Sequence, residues 1–521
     1  MLHLNGKNPN RKKGTAMNYL IGIDIGTSGT MVLLLDETGK IVDTGSRAYE
    51  FEIPQNGWTE QDPALWWNAI VSIIPELLKN NQIKAEEIKG IGIAGQMHSL
   101  VMLDENNEVL RKAILWNDQR TAKQVDEINQ IVGAKRHIEL TSNPPLTGFT
   151  SPKILWIREN EPETYAKCKH ILLPKDYIRF KLTGKYVSDV SDASGMGLLN
   201  VRERVWSQEI LEDLKINPEW LPELVESVEI SGYVTEEAAN LIGLAAGTPV
   251  VGGAGDNAAA AIGVGVIKDK TGFTTVGTSG VVFVHSSQPQ TDLKGRVHTF
   301  CSAVPNEWHL MGVTLSAGSS LQWFRNQFCV EEQKLAKEQG VDVYQIMDKM
   351  AEKIQPGSDH LIFLPYLNGE RTPHLDPDSR GVFFGLSSIH EKSHLIRSIL
   401  EGVAFSLNDC LSILRDLDVD AETMIITGGG ASSPLWREII ANVFDCTMNR
   451  CESNQGPSLG AAILAGVGSG VFSNLEDGCE KVVKIKDSFE PHNQADYASY
   501  YEIYKNLYPA VKEQFVKLAE V

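Results

Sequence analysis

Nowhere in the 521 residues is there a run of about 18 apolar side chains, so the sequence offers no helical membrane span. Positive charge is also scarce. There are 48 Lys and Arg against 67 Asp and Glu, a formal net charge of −19, which argues against the broad basic surface that nucleic-acid binding needs. A phosphorylated ligand is still allowed, because a ring of backbone N–H groups or a magnesium ion can hold phosphate on an acidic protein. The seven cysteines form no pair at zinc-ligand spacing; even the closest, Cys446 and Cys451, reads as reduced thiols. No G-x-x-x-x-G-K-[ST] occurs, which removes a P-loop, and no Pro- or Ser-rich linker divides the chain. Residues 1–16, "MLHLNGKNPNRKKGTA", lack the apolar segment of a secretory signal and read as a disordered leader outside the fold. These absences together suggest a cytoplasmic protein.

The composition itself is ordinary for a globular chain, 42% hydrophobic and 22% charged, and the length calls for two or three domains. The informative feature is a repeat. Gly-Thr-Ser-Gly occurs at 26–29 in "IGIDIGTSGT" and again at 277–280 in "FTTVGTSGVV", each time between β-favouring runs. Glycine admits positive φ and close approach of a ligand to the backbone, and the exposed N–H groups and hydroxyls can hold phosphate oxygens. One such turn serves equally well as a plain hairpin. Two in matching positions suggest opposed grips on a phosphate chain across a cleft.

The surroundings repeat as well. "YLIGIDIGTSGTMVLLLD" reads as a hairpin and "KIVDTGSRAYEF" as a third strand. A helix follows in "QDPALWWNAIVSIIPELLKN", capped by Asp62 with Pro63 in its first turn, then a buried strand in "IKGIGIAGQMH". "GWTEQDPALWW" is expected to work only as that helix start. Further on, "GTPVVGGAGDNAAAAIGVG", "GFTTVGTSGVVFVH", "EWHLMGVTLSAGSSLQWF" and "AETMIITGGGASSPLWREIIANVF" give strand–glycine–helix or strand–turn–strand units, while "GVGSG" at 466–470 reads as a turn. The pattern predicts an α/β protein of two pseudo-repeated halves with a boundary near 248–256 and a hinge between them.

These motifs resemble the FGGY carbohydrate kinases over residues 17 to about 510. "GFTSPKILWI" (148–157), with Lys153 and Trp156, is similar to the first family signature and "GVFFGLSSIHEKSHLIRSILE" (381–401) to the second; "GGAGDNAAAAIGVG" (252–265) resembles the catalytic loop. "IAGQMHSLVMLD", "AILWNDQR", "LLPKDYIRFKLTG" and "LPYLNGERTPH" look like the branch that phosphorylates D-xylulose, and Met97-His98 replaces an Arg-Glu pair that contacts the polyol in glycerol kinases. The resemblance implies two actin-like (ribonuclease H-like) domains with a catalytic cleft between them. Residues 17–253 would carry the sugar and 254–521 the nucleotide. ATP and Mg²⁺ would be required, the sugar would be a pentulose, and a homodimer is common in the family. A sibling kinase for another ketose, polyol or sugar acid, or a sugar-responsive regulatory ATPase, are the rival readings.

Residue by residue, the resemblance makes Asp256 the general base, although Asp before an alanine run also reads as a helix N-cap. Asp24, costly in a buried strand if unpaired, would face magnesium together with Asp256. Gly26, Thr27 and Ser28 from one half and Thr278 from the other would touch the phosphates. Gly318, Gln322, Gly429 and Gly430 would border the nucleotide. In glycerol kinases an Asn stands where this chain has Pro434, so that side-chain contact is lost. Gln96, Met97, His98, Trp116, Asp118 and Asn257 are the expected sugar contacts.

Overall fold

The computed structural model describes residues 17–521, so the leader expected at 1–16 lies outside the described residues. In the first half, β1 (Tyr19–Ile25) and β2 (Gly29–Asp36) form the predicted hairpin and β3 (Ile41–Ala48) extends it. Helix α1 (Pro63–Asn81) starts where expected: the Asp62 carboxylate accepts from Ala64 N at 2.9 Å, and Pro63 needs no partner for a missing N–H. Strand β4 (Ile88–Gly95) lies parallel to β1. Helices α2 (Thr150–Asn160) and α3 (Pro174–Thr183) follow, then β5 (Ile230–Tyr233), β6 (Pro249–Val251), β7 (Ala254–Gly255) and α4 (Asp256–Gly263). The sheet order is β5-β6-β4-β1-β2-β3, with β7 also on β4. The strand in "GTPVV", read from sequence as opening the second half, therefore closes the first sheet through Val250 opposite Ile91.

The second half repeats this plan. Strands β8 (Lys270–Val276) and β9 (Gly280–Ser286) form the second hairpin, followed by β10 (His298–Cys301) and β11 (Trp308–Thr314). Helices α5 (Gly318–Phe328), α6 (Val343–Ala351) and α7 (Lys392–Asp416) lead to β12 (Ala421–Thr427), α8 (Pro434–Phe444), β13 (Thr447–Cys451), α9 (Gly456–Gly468) and β14 (Ile485–Phe489). The order is β10-β11-β9-β8-β12-β13-β14. In both sheets a hairpin strand pairs antiparallel with its turn partner and parallel with a later strand, so the two Gly-Thr-Ser-Gly turns occupy equivalent places.

Strand alternation divides the first sheet into two buried faces. Ile21, Ile23, Val32 and Leu34 pack with α1; Leu20, Leu33 and Leu35 pack with α4 and α9. Helix α9 comes from the far end of the chain and lies directly on β1 and β4. A Cβ at Gly22 would fall 1.9 Å from Ser458 O, and one at Gly92 1.9 Å from Ala461 O. These glycines, paired across the strands, let helix backbone touch sheet backbone. "GVGSG" is corrected accordingly: Gly466–Gly468 end α9, and only Ser469 and Gly470 turn. The helix escaped the sequence reading because it is apolar all round and has no polar face to set a period.

Candidate active site

The two turns are built alike from different materials. In the first, Gly26 N donates to Gly29 O at 3.0 Å; in the second, Gly277 N donates to Ser279 O at 3.0 Å. Their carbonyls are tied back. Gly26 O accepts from the Tyr49 hydroxyl at 2.8 Å and Thr27 O from Gln61 Nε2 at 3.0 Å. Gly277 O accepts from Gly318 N at 2.7 Å, and Thr278 O from Ala317 N and Ser319 N. The N–H groups of Thr27, Ser28, Thr278 and Ser279 find no acceptor among the described residues. Each turn thus presents two unpaired donors and its hydroxyls, a concavity suited to anionic oxygen. The expectation for "GWTEQDPALWW" is corrected here: beyond starting α1, it supplies the Gln61 amide that pins the first turn.

Thr278, Gly318, Gln322, Gly429 and Gly430 come together around a cavity of about 480 Å³, with Tyr344, Asp348, Ser433 and Trp436. Gly318 is required there, since a Cβ would lie 2.5 Å from Gly277 O. Pro434 opens α8 behind Ser433, whose side chain caps the helix through Trp436 N at 3.0 Å. Tyr344 and Asp348 were missed by the sequence reading. They sit on α6, an amphipathic helix with no motif, and only the fold brings them to the cavity. Burial pushes the Asp348 carboxyl up to about 6.

Asp256 is the first residue of α4. It does not cap the helix: its Oδ1 accepts from the neighbouring Asn257 N at 2.7 Å and Asn257 Nδ2 at 3.0 Å, and its other oxygen receives no donor among the described residues. Burial raises it to about 6 against those two bonds. Asn257, expected at the sugar, here fixes Asp256. Both line a second cavity of about 540 Å³ with Thr275, Thr427 and Arg450. The backbone leading to Asp256 is held from beneath: Arg179 donates to Gly252 O, and Ser191 Oγ accepts from Gly255 N at 3.1 Å. Arg179 and Lys175 belong to a fully buried ionic group with Asp176, Asp189 and Asp192.

Asp24 lies in β1, two residues before the first turn. No donor reaches its carboxylate among the described residues, and burial, then the charge of Asp256, lifts it to about 7. Asp24, without a donor and raised by the charge of Asp256, and the one Asp256 oxygen that receives none fit a divalent cation. No cluster of three or more potential ligands exists among the described residues.

The expected sugar residues fall into two groups. Gln96 accepts from Thr27 Oγ1 at 3.2 Å, and the indole N–H of half-exposed Trp116 donates to the same Thr27 oxygen at 2.9 Å, so both support the first turn. Met97 and His98 wedge between Gly255 and Gly195, where added Cβ atoms would meet them at 3.0 and 2.7 Å. His98 has φ +67, and its carbonyl is held by Lys153 Nζ at 3.0 Å and Thr150 Oγ1 at 2.9 Å; its ring stacks on Phe149 at 4.5 Å. Burial, then the charges of Lys153 and Arg371, press His98 down to about 3, so the ring is neutral. Nδ1 stands 2.5 Å from Gly195 O, an acceptor, so Nδ1 carries the proton and Nε2 keeps its lone pair. Asp118 is placed elsewhere. It is fully buried, and its oxygens accept from Thr59 N at 2.6 Å and from the Arg120 guanidinium at 2.8–3.0 Å, so it anchors a loop.

Two α/β halves with equivalent donor-rich turns make a sugar-kinase architecture. The crystal structure of a "xyloylose kinase" from Brucella ovis superposes with a TM-score of 0.87 at 36% identity, covering 95% of this chain and 100% of that one. The models of the FGGY family of carbohydrate kinases match here, the N-terminal domain at residues 19–263 and the C-terminal domain at 272–469, and the chain belongs to that family. It is 41% identical to a xylulose kinase of Lactococcus lactis over 97% of this chain and 99% of that protein. It is also 33% identical to a gluconokinase of Bacillus licheniformis over 96% and 98%. The protein is a phosphotransferase acting on a sugar hydroxyl. Among the described residues no helix is long and apolar enough to cross a membrane.

Proposed function

We propose that the protein phosphorylates D-xylulose to D-xylulose 5-phosphate in the cytoplasm, with MgATP as donor. The observation that carries this reading is Met97 packed against Gly255, one residue from Asp256, with neutral His98 beside it against Gly195, in a chain 41% identical to a xylulose kinase. In this reading the first half holds the sugar and the second half the nucleotide. The Nε2 lone pair of His98 accepts from a sugar hydroxyl. The free Asp256 oxygen takes the proton of the terminal hydroxyl as that oxygen bonds to the γ-phosphorus, and the bond to the β-phosphate oxygen breaks. A carboxyl at about 6 suits the task, being ionised at neutral pH yet more basic than an exposed Asp. The Thr27, Ser28, Thr278 and Ser279 donors grip the phosphates from both sides, and the cavity at Gly318, Gln322, Gly429 and Gly430 takes the nucleoside. Asp24, with Asp256 nearby, would hold magnesium, which when bound would neutralise charge on the phosphates.

The test is a panel of D-xylulose, D-ribulose, L-ribulose, glycerol and gluconate with MgATP, read as sugar phosphate by mass spectrometry. D-xylulose should give the highest kcat/KM. Higher kcat/KM for gluconate or another acceptor replaces the substrate while leaving the kinase class intact.

A further inference from the structure

Arg371 lies in "LNGERTPH", and its neighbours fix where it emerges. Thr372 N donates to Val313 O at 3.0 Å, its hydroxyl accepts from Val313 N at 3.2 Å, and it donates to Arg296 O at 2.9 Å. This straps the segment to the end of β11, next to the strand that leaves the second turn. On the other side, the Glu370 carboxylate turns into the core of the second half, accepting from Thr314 Oγ1 at 2.7 Å and Leu315 N at 2.9 Å. Val313 and Val281 pack on the cluster of Phe149, Phe300 and Met311, and that cluster also supports His98. Arg371 therefore stands at the wall where the two halves meet beside His98, and its charge is felt at both His98 and His298.

The Arg371 side chain is partly buried, yet no hydrogen bond or ion pair receives its guanidinium among the described residues. Its near neighbours do not receive it. His98 and His298 are neutral rings, with Nδ1 of each already engaged at Gly195 O and Asn143 Oδ1. Lys153 is itself a donor, engaged at His98 O and Gly148 O, and Glu370, whose charge favours the Arg371 cation, has its oxygens bonded to Thr314 and Leu315. A guanidinium keeps its charge and offers five donors with no acceptor, so burying it without oxygen partners is costly. Arg371 keeps an edge open to the cleft, so its oxygen partners come from outside the chain, from water or from a bound ligand.

We propose that Arg371 binds the sugar from the second half, donating to the carbonyl and hydroxyl oxygens at the ketose end remote from the phosphorylated hydroxyl, and that it sets the preference among acceptors. This rests on the kinase reading above. It makes the second half a direct reader of the sugar, so that bound acceptor bridges both halves.

The test compares wild type with Arg371→Met and Arg371→Lys on D-xylulose and 1-deoxy-D-xylulose, which lacks one oxygen at that end. Arg371→Met should raise KM for D-xylulose about ten- to a hundredfold and leave KM for MgATP within about threefold, with Arg371→Lys between. The preference of wild type for D-xylulose over its deoxy analogue should shrink towards unity in Arg371→Met. The thermal midpoint of Arg371→Met should be unchanged or higher, because an unpaired, partly buried cation is removed; a structural residue would lower it. A sugar KM within twofold of wild type in both variants, or an unchanged ratio between the two sugars, overturns the proposal, as does a lowered midpoint accompanied by equal losses toward sugar and ATP. Wild type is assayed first. If it prefers another acceptor in the panel, D-xylulose falls and the KM comparison is made on that acceptor, whereas wild type inactive on all of them overturns both readings.

Discussion

Replacing Asp24 by Asn should make the protein more stable and nearly inactive, and the gain in stability should depend on pH. The native carboxyl is raised from 3.8 to about 7 by burial and by the charge of Asp256, with no donor to offset it. The folded chain therefore holds this proton more tightly than the unfolded chain. Between pH ~4 and ~7 the folded state binds more protons, so this group's contribution to stability falls as pH rises through that window and is flat above it. A shift of about three pKa units corresponds to about 4 kcal/mol when the group is fully ionised. Water reaching the carboxylate edge reduces this to about 2 kcal/mol. A neutral amide at this position carries no such cost. Urea unfolding of wild type and Asp24→Asn, without magnesium or nucleotide, should show nearly equal midpoints at pH ~3 and a clear advantage for the variant at pH ~8. Turnover with MgATP should meanwhile fall by about two orders of magnitude or more. A stability difference independent of pH, or a wild type more stable than the variant at the alkaline end, refutes the reasoning from buried charge.

Asp256→Asn should keep the fold, since the Asn257 contacts need only one carbonyl-type oxygen, and lose about 10²-fold or more in kcat; activity within a few-fold removes Asp256 as the base. In wild type the acid limb of the kcat profile should rise with pH through about 6, the value at which Asp256 gives up its proton. His98→Ala should raise KM for the sugar more than KM for ATP, and an effect confined to ATP puts the sugar on the wrong wall. Gly92→Val should destabilise by more than about 3 kcal/mol by driving α9 off the sheet, measurable as a fall in thermal midpoint, whereas Gly429→Ala, with nothing within 4 Å of the added carbon, should leave the midpoint unchanged.

What could be read from the chain alone was what is local. The two turns announce themselves because glycine, two hydroxyls and β-branched flanks sit within ten residues, and α1 because Asp62 and Pro63 are its own start signals. Asp256 stood out as a charge between a glycine loop and an alanine run. What escaped depends on partners distant in sequence. Asp118 was expected at the sugar, but Thr59, 59 residues earlier, and Arg120, two residues on, take its oxygens, and of these only Arg120 stands near it in sequence. Arg371 was visible only as part of a familiar stretch, because its significance is the absence of a partner, and no sequence pattern records an absence. Helix α9 carried no period because both of its sides are buried.

Helix α9 also imposes an order on synthesis. The face of β1, β2 and β4 that carries Leu20, Leu33 and Leu35 is covered by residues 459–465, more than 350 positions beyond the end of β4. At ribosomal rates of about 5–20 residues per second, the nascent sheet waits roughly 20–70 seconds for its cover. During that interval an apolar surface is exposed that no earlier segment fully conceals. A ribosome stalled before residue 456 would release a chain prone to clumping, and a fragment ending at residue 253 would keep that surface bare for good. The closing stretch of the message thus decides whether its opening stretch becomes soluble protein.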